Sequence, residues 1–226
     1  MNAKILAAST AAAMFALVGA AAAQTSAVAT TDLNVRSGPG PQYPVVGQIG
    51  ASQPVTLDGC AQGSKWCATT VDGAQGWVYS DYLSSDFGGK TVVLTERPAD
   101  AVPNVVYKEK AGNQGKGGAL AGAGTGAVAG ALIGGPVGAA VGGVAGAVVG
   151  GAAGTAVKEP PQEVRTYVTQ QQAQPVYLDG EVVVGAGVPE NVEIREVPNY
   201  EYRYANINGQ PVLIDPGSRK IVYVYR

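Results

Sequence analysis

Trp66-Cys67-Ala68-Thr69-Thr70-Val71, Asp72-Gly73, and Ala74-Gln75-Gly76-Trp77-Val78-Tyr79 form one continuous stretch of this chain. Two runs rich in β-branched and aromatic residues flank an Asp-Gly pair, and Asp-Gly is the dipeptide that a tight two-residue hairpin turn demands. The reading is a β-hairpin. Working outward toward the N-terminus, Leu33-Asn34-Val35 alternates, Arg36-Ser37-Gly38-Pro39-Gly40-Pro41 is a loop, and Val45-Val46-Gly47-Gln48-Ile49 and Pro54-Val55-Thr56-Leu57 are further strands. Five short strands in about fifty residues predict a small barrel.

The motifs Leu33-Asn34-Val35-Arg36-Ser37-Gly38-Pro39, Val45-x-Gly47-x-Ile49, Trp66-Cys67 and Gly76-Trp77-Val78-x-x-x-Tyr82-Leu83 stand in a specific order and spacing. On these, residues 30–83 resemble the bacterial SH3-like (SH3b) family. The resemblance implies a cell-envelope association and, as in several relatives, binding to peptidoglycan or its peptides. It also implies that Arg36 hydrogen-bonds its neighbouring loop. An aromatic groove is how SH3-type barrels hold extended peptides, so Tyr43, Trp66, Tyr79 and Tyr82 are the candidate ligand-binding residues. A core role competes for Trp66 and Tyr43, and Trp77 reads as core.

The N-terminus carries Lys4, an apolar run from Ile5 to Val18, and Ala21-Ala22-Ala23 before Gln24. That is the pattern of a cleavable secretory leader over residues 1–23, and no cysteine follows it to accept a lipid. In an exported protein the two cysteines, Cys60 and Cys67, read as one disulfide, because Ala61 to Lys65 can turn the chain back between neighbouring strands. The formal net charge is −2, with basic residues scattered, so no stripe is present to bind nucleic acid. With no histidine, Ser/His and Cys/His catalysis and most transition-metal sites are excluded. No catalytic residue, metal or cofactor is expected, and the protein is read as a non-enzyme.

Glycines stand every fourth residue at Gly118, Gly122, Gly126, Gly130, Gly134, Gly138, Gly142, Gly146, Gly150 and Gly154, in a tract without charge between Lys116 and Lys158. On a helix this spacing draws a smooth face, the small-xxx-small pattern of membrane helix interfaces. Gly134-Gly135-Pro136 breaks the tract into arms of about 18 and 22 residues, which predicts a glycine-zipper helical hairpin over 117–157. It would mediate membrane association or homo-oligomerisation, with a flexible Gly/Ala linker as the alternative. Leu120, Leu132 and Ile133 are the tract's few strongly apolar residues, which favours the outer membrane or self-assembly over the inner membrane.

After Pro160-Pro161, Val176 to Val184 reads as a hairpin about Asp179-Gly180, and Val192 to Arg195 as a strand. Tyr200 to Tyr225 reads as a three-stranded meander turning at Asn208-Gly209 and Asp215-Pro216-Gly217. Asp179-Gly180-Glu181, Val188-Pro189, Val197-Pro198-x-Tyr200, Asn208-Gly209 and Asp215-Pro216-x-x-Arg219 resemble a small bacterial C-terminal family of unknown function found on exported proteins. Tyr200, Tyr202 and Tyr204 alternate onto one face, as an aromatic core face or a binding stripe. Glu190 and Glu193 read as solvated.

The expected organisation is mainly β. It runs leader 1–23, SH3-like domain 24–85, linker 86–116, helical hairpin 117–157, linker 158–174 and β-rich domain 175–226. The expected function is an exported envelope protein whose SH3-like domain binds a cell-wall component or peptide. The alternative is a targeting or regulatory partner of a periplasmic enzyme, with the domain binding protein.

Overall fold

The structure, a computed structural model, describes residues 24–98, 100–107, 158–171 and 173–226, together with the backbone of 127–131. The leader read over 1–23 and every zipper glycine except Gly130 lie outside the described residues.

The N-terminal half is a nine-stranded sheet. Its strands are β1 (Thr25–Ala29), β2 (Leu33–Arg36), β3 (Val45–Ile49), β4 (Pro54–Ala61), β5 (Trp66–Val71), β6 (Ala74–Tyr79), β7 (Leu83–Phe87), β8 (Lys90–Val93) and β9 (Asn104–Val105). The order along the sheet is β3-β2-β6-β5-β4-β1-β7-β8, with β9 parallel to the end of β4. The five expected strands are present, and the β5–β6 turn is the expected one, with Asp72 at φ 50° and Gly73 at φ 78°. Both positive φ values match the type I′ turn, whose twist agrees with that of the strands it joins.

Cys60 faces Cys67 across the β4–β5 ladder and the two form the expected disulfide. One residue earlier, Gly59 has φ 147° at a register shift. A Cβ there would press on the Pro103 carbonyl and the Val105 side chain, so glycine lets residues 103–105 lie against β4 as β9.

Residues 86–107, expected within a linker, are therefore largely folded. The β7–β8 hairpin turns at Gly88-Gly89, with both glycines at positive φ, and buries Leu83, Val93 and Leu94. β1, starting next to the expected leader cleavage site, is an interior strand between β4 and β7.

The C-terminal half has one helix, α1 (Gln162–Gln170), followed by β11 (Tyr177–Asp179), β12 (Arg195–Glu196), β13 (Arg203–Ile207), β14 (Gln210–Ile214) and β15 (Ile221–Val224). The last four form an antiparallel sheet in sequence order, and the expected meander is there. Its strands alternate between two cores: Tyr204, Leu213 and Val222 meet Val164 and Val168 of α1, while Ile207, Val212, Ile214 and Ile221 face the other way. The helix was expected as linker; Val164 and Val168, one turn apart, are what bind it to the sheet.

Two expectations are corrected. The hairpin about Asp179-Gly180 does not form: Gly180 adopts φ 108° and Glu181, Val182 and Val183 turn inward, fully buried. The strand read over Val192–Arg195 is displaced to Arg195–Glu196. The Arg219 guanidinium donates to the carbonyls of Val188, Pro189 and Val192 at 3.1, 2.7 and 2.8 Å and holds that approach as an irregular loop.

The helical hairpin is also overturned where the tract is described. Ala127–Ala131 is a strand, β10, parallel to β11, so Gly130 is a strand residue and not part of a helical groove. Glycine costs a helix about 1 kcal/mol against alanine, and an available strand edge gives this backbone another way to satisfy its polar groups. No described helix is long and apolar enough to cross a membrane.

Candidate functional site

β2 is buried on both faces, and the alternation of its side chains explains why. Leu33 and Val35 enter the core of the N-terminal sheet, while Asn34 and Arg36 point at the C-terminal half. Arg36 and Glu181 are 1% and 0% exposed. The guanidinium grips the Glu181 carboxylate with two hydrogen bonds, one from Nε to Oε2 and one from Nη2 to Oε1 at 2.7 Å.

Its remaining nitrogen, Nη1, donates to the carbonyls of Pro41 and Tyr43 at 2.8 and 2.7 Å, which fixes the loop after β2 as the SH3-like resemblance implied. Nη1 also reaches the Asn208 carbonyl at 3.3 Å. The Asn34 amide donates to Glu181 Oε1 and to Gln210 Oε1 at 3.1 and 2.7 Å, and the Val182 N–H donates to Glu181 Oε1 at 2.8 Å. The Asn208 side chain, at the meander's first turn, accepts from the Leu178 N–H at 2.8 Å and donates to the Gly180 carbonyl at 3.1 Å. The turn and the Glu181 loop are thereby held together.

A buried charge is tolerated only when paired and hydrogen-bonded on all sides, and this one is. Apolar packing continues around it. A single cluster of buried residues runs from Leu33, Leu57 and Val78 to Leu178, Val182 and Ile207.

The four candidate ligand-binding residues separate into two places. Trp66, Tyr79 and Tyr82 are 3%, 5% and 2% exposed and form a ladder, Trp66 edge-on to Tyr79 at 5.2 Å and Tyr79 tilted against Tyr82 at 6.1 Å. Lys65 Nζ lies 5.9 Å from the Tyr79 ring centre and pairs with Asp81 at 2.9 Å. The Tyr79 hydroxyl is held far above its ordinary pKa, first by burial and then by the negative charges of Asp81 and Asp179. This ring is a neutral phenol at any physiological pH.

Tyr43 is half-buried and stands elsewhere. Its ring meets Tyr107 edge-on at 5.7 Å, and Tyr107 in turn meets buried Trp77 at 5.5 Å. Tyr107 is also half-buried, and the sequence neighbours Val46 and Val106 are 52% and 80% exposed. An aromatic pair anchored through Tyr107 to a buried indole, with a loop pinned by Arg36, presents a rigid, partly apolar surface that loses little entropy on contact. Tyr107 was missed because it lay in the expected linker. The signal was the β-branched and aromatic run Val105-Val106-Tyr107 after Pro103.

Elsewhere, Tyr200, Tyr202 and Tyr204 pack with α1 and the meander's outer face, Tyr204 edge-on to Tyr167 at 6.0 Å. Glu193 pairs with Arg195 at 3.4 Å beside a cleft of about 220 Å³ that also involves Asn206. Among the described residues no group of three or more acidic or cysteine side chains is placed to hold a metal ion.

Comparison with known families agrees with this division of the chain. Residues 31–84 match the bacterial SH3 domain, and residues 167–226 match a domain of unknown function (DUF1236). No curated protein matches the chain. The chain thus carries a bacterial SH3 domain, a protein- or cell-wall-binding module, and neither matched family is enzymatic.

Proposed function

We propose that this chain, built on a bacterial SH3 domain, is an exported, non-enzymatic protein of the cell envelope. In this reading the SH3 module binds a peptidoglycan component or cell-wall peptide, and the uncharged tract over 117–157 associates with a membrane or with a second copy. The observation that carries the binding role is the run Tyr43–Tyr107–Trp77, in which Tyr43 and Tyr107 are only half-buried by the described residues. Rings of this kind hold sugar faces and extended peptides through apolar contact, while a hydroxyl at the edge supplies direction.

The test is retention of the purified full-length protein on sacculi stripped of other proteins. Retention that falls at least tenfold in Tyr43→Ala and in Tyr107→Ala supports the reading. If the wild-type protein is not retained, wall binding is wrong, and the module's partner is a protein, such as a periplasmic enzyme that this chain targets or regulates.

A further inference from the structure

We propose that the C-terminal domain is a dedicated recognition partner of the SH3 module, reading the face of β2 that carries Asn34 and Arg36, and that the two associate without needing the chain that joins them. This gives the domain of unknown function a role, and it stands independently of the wall-binding reading.

The argument begins with Arg36. Its Nη1 is spent on the loop carbonyls of Pro41 and Tyr43, but Nε and Nη2 form a fork aimed out of the SH3 module. A guanidinium fork accepts a carboxylate in two parallel hydrogen bonds and discriminates sharply against other shapes. Glu181 supplies that carboxylate, the Asn34 amide and the Val182 N–H complete the bonding around it, and Gln210 accepts the other Asn34 hydrogen bond, so the contact is read by shape, charge and donor pattern together. A second site lies at the rim, where Arg226 donates to the Asp32 carbonyl at 3.0 Å. Between these polar contacts the two cores are continuous.

Such an interface has the anatomy of a protein–protein complex, an apolar centre with a few placed polar groups, rather than that of two domains on a tether. The described residues on either side of 108–157 then belong to one body. Tyr107 is fixed on Trp77 at one end and α1 on the meander sheet at the other. An outside ligand of the SH3 module must also use another face, because the Arg36 face is filled.

The experiment uses the full chain with a specific protease site introduced after Gly115, cut once and examined under native conditions. The expected result is that the two pieces on either side of the cut co-elute at the size of the intact chain and remain together on dilution to nanomolar concentration. In the nicked chain, Glu181→Gln should raise the dissociation constant about a hundredfold or more, since Arg36 keeps its charge and loses its partner. Glu196→Gln, which removes an exposed pair with Arg203, should leave it unchanged. Wild-type pieces that separate overturn the proposal, whether or not each stays folded. So does a Glu181→Gln chain whose pieces hold as tightly as wild type. If Glu181→Gln fails to fold intact, the wild-type nicking result decides alone.

Discussion

Two chains of contacting aromatic rings cross the SH3 module, and they differ in what surrounds them. Trp66, Tyr79 and Tyr82 are sealed in, whereas Tyr43 meets Tyr107, Tyr107 meets Trp77, and both tyrosines are only half-buried. All are aromatic residues near strand ends, and ring geometry does not separate them. What separates them is the neighbouring segment. The loop ending at Pro44 is pinned by Arg36, and residues 103–107 lie beside β4 in the gap left by Gly59, so the second pair is built where two separate segments meet. Rigid support under an exposed ring suits recognition, and enclosure suits stability.

The largest effect expected from this contrast is on folding. Trp66→Ala or Tyr82→Ala should each cost about 3–5 kcal/mol, as large-to-small substitutions in a packed core do, and denaturant unfolding would measure it. Tyr43→Ala should cost about 1 kcal/mol, the scale of one edge-to-face pair, while lowering retention on sacculi. A Tyr43→Ala loss as large as that of Trp66→Ala would break the distinction between the two ladders. Next in size is the Cys60–Cys67 disulfide. Replacing both cysteines by serine should lower stability by about 2–3 kcal/mol, the loop-closure value for so short a loop. Because Cys67 is one residue from Trp66, a larger loss would show that the disulfide positions the buried ladder as well as closing the chain.

How far this division could be read from sequence depends on how local its causes are. Turn chemistry is local, and Asp72-Gly73 and Asn208-Gly209 both sit at the tips of hairpins with positive φ at each residue. The cysteine pairing was legible for the same reason. Burial of Trp66, Tyr79 and Tyr82 is not local, because it depends on what lies over them, and a segment expected as linker supplied the end of β7 and all of β8 and β9. The Glu181 loop shows the same limit from the other side. Asp179-Gly180 reads as a hairpin turn taken alone, but a carboxylate drawn into a bidentate pair with Arg36, 145 residues away, redirects the chain after it. The glycine period was legible as a pattern, yet four-residue spacing fits a helix face and a strand equally once a partner strand is present, and β11 is that partner for Ala127–Ala131.

The smallest effect belongs to Tyr225, which extends the contrast between sealed and open rings into the C-terminal domain. Its ring is edge-on to Tyr223 at 5.1 Å, and its hydroxyl is buried with no hydrogen-bond partner among the described residues. A buried polar atom without a partner costs free energy, so Tyr225→Phe should leave stability at neutral pH unchanged or raise it by up to about 1 kcal/mol. The hydroxyl also carries a pH signature. Burial first, then the neighbouring Tyr200 and Tyr223, raises its pKa from 10.0 to about 12, so the folded chain favours the neutral phenol. Since the folded value lies above the unfolded one, this contribution is complete below pH 10 and is lost as pH rises toward about 12. Unfolding midpoints of the wild type should therefore fall across that window, and those of Tyr225→Phe should fall less steeply. Identical slopes would mean that the hydroxyl is open to water and that enclosure in this half of the molecule ends at Tyr204.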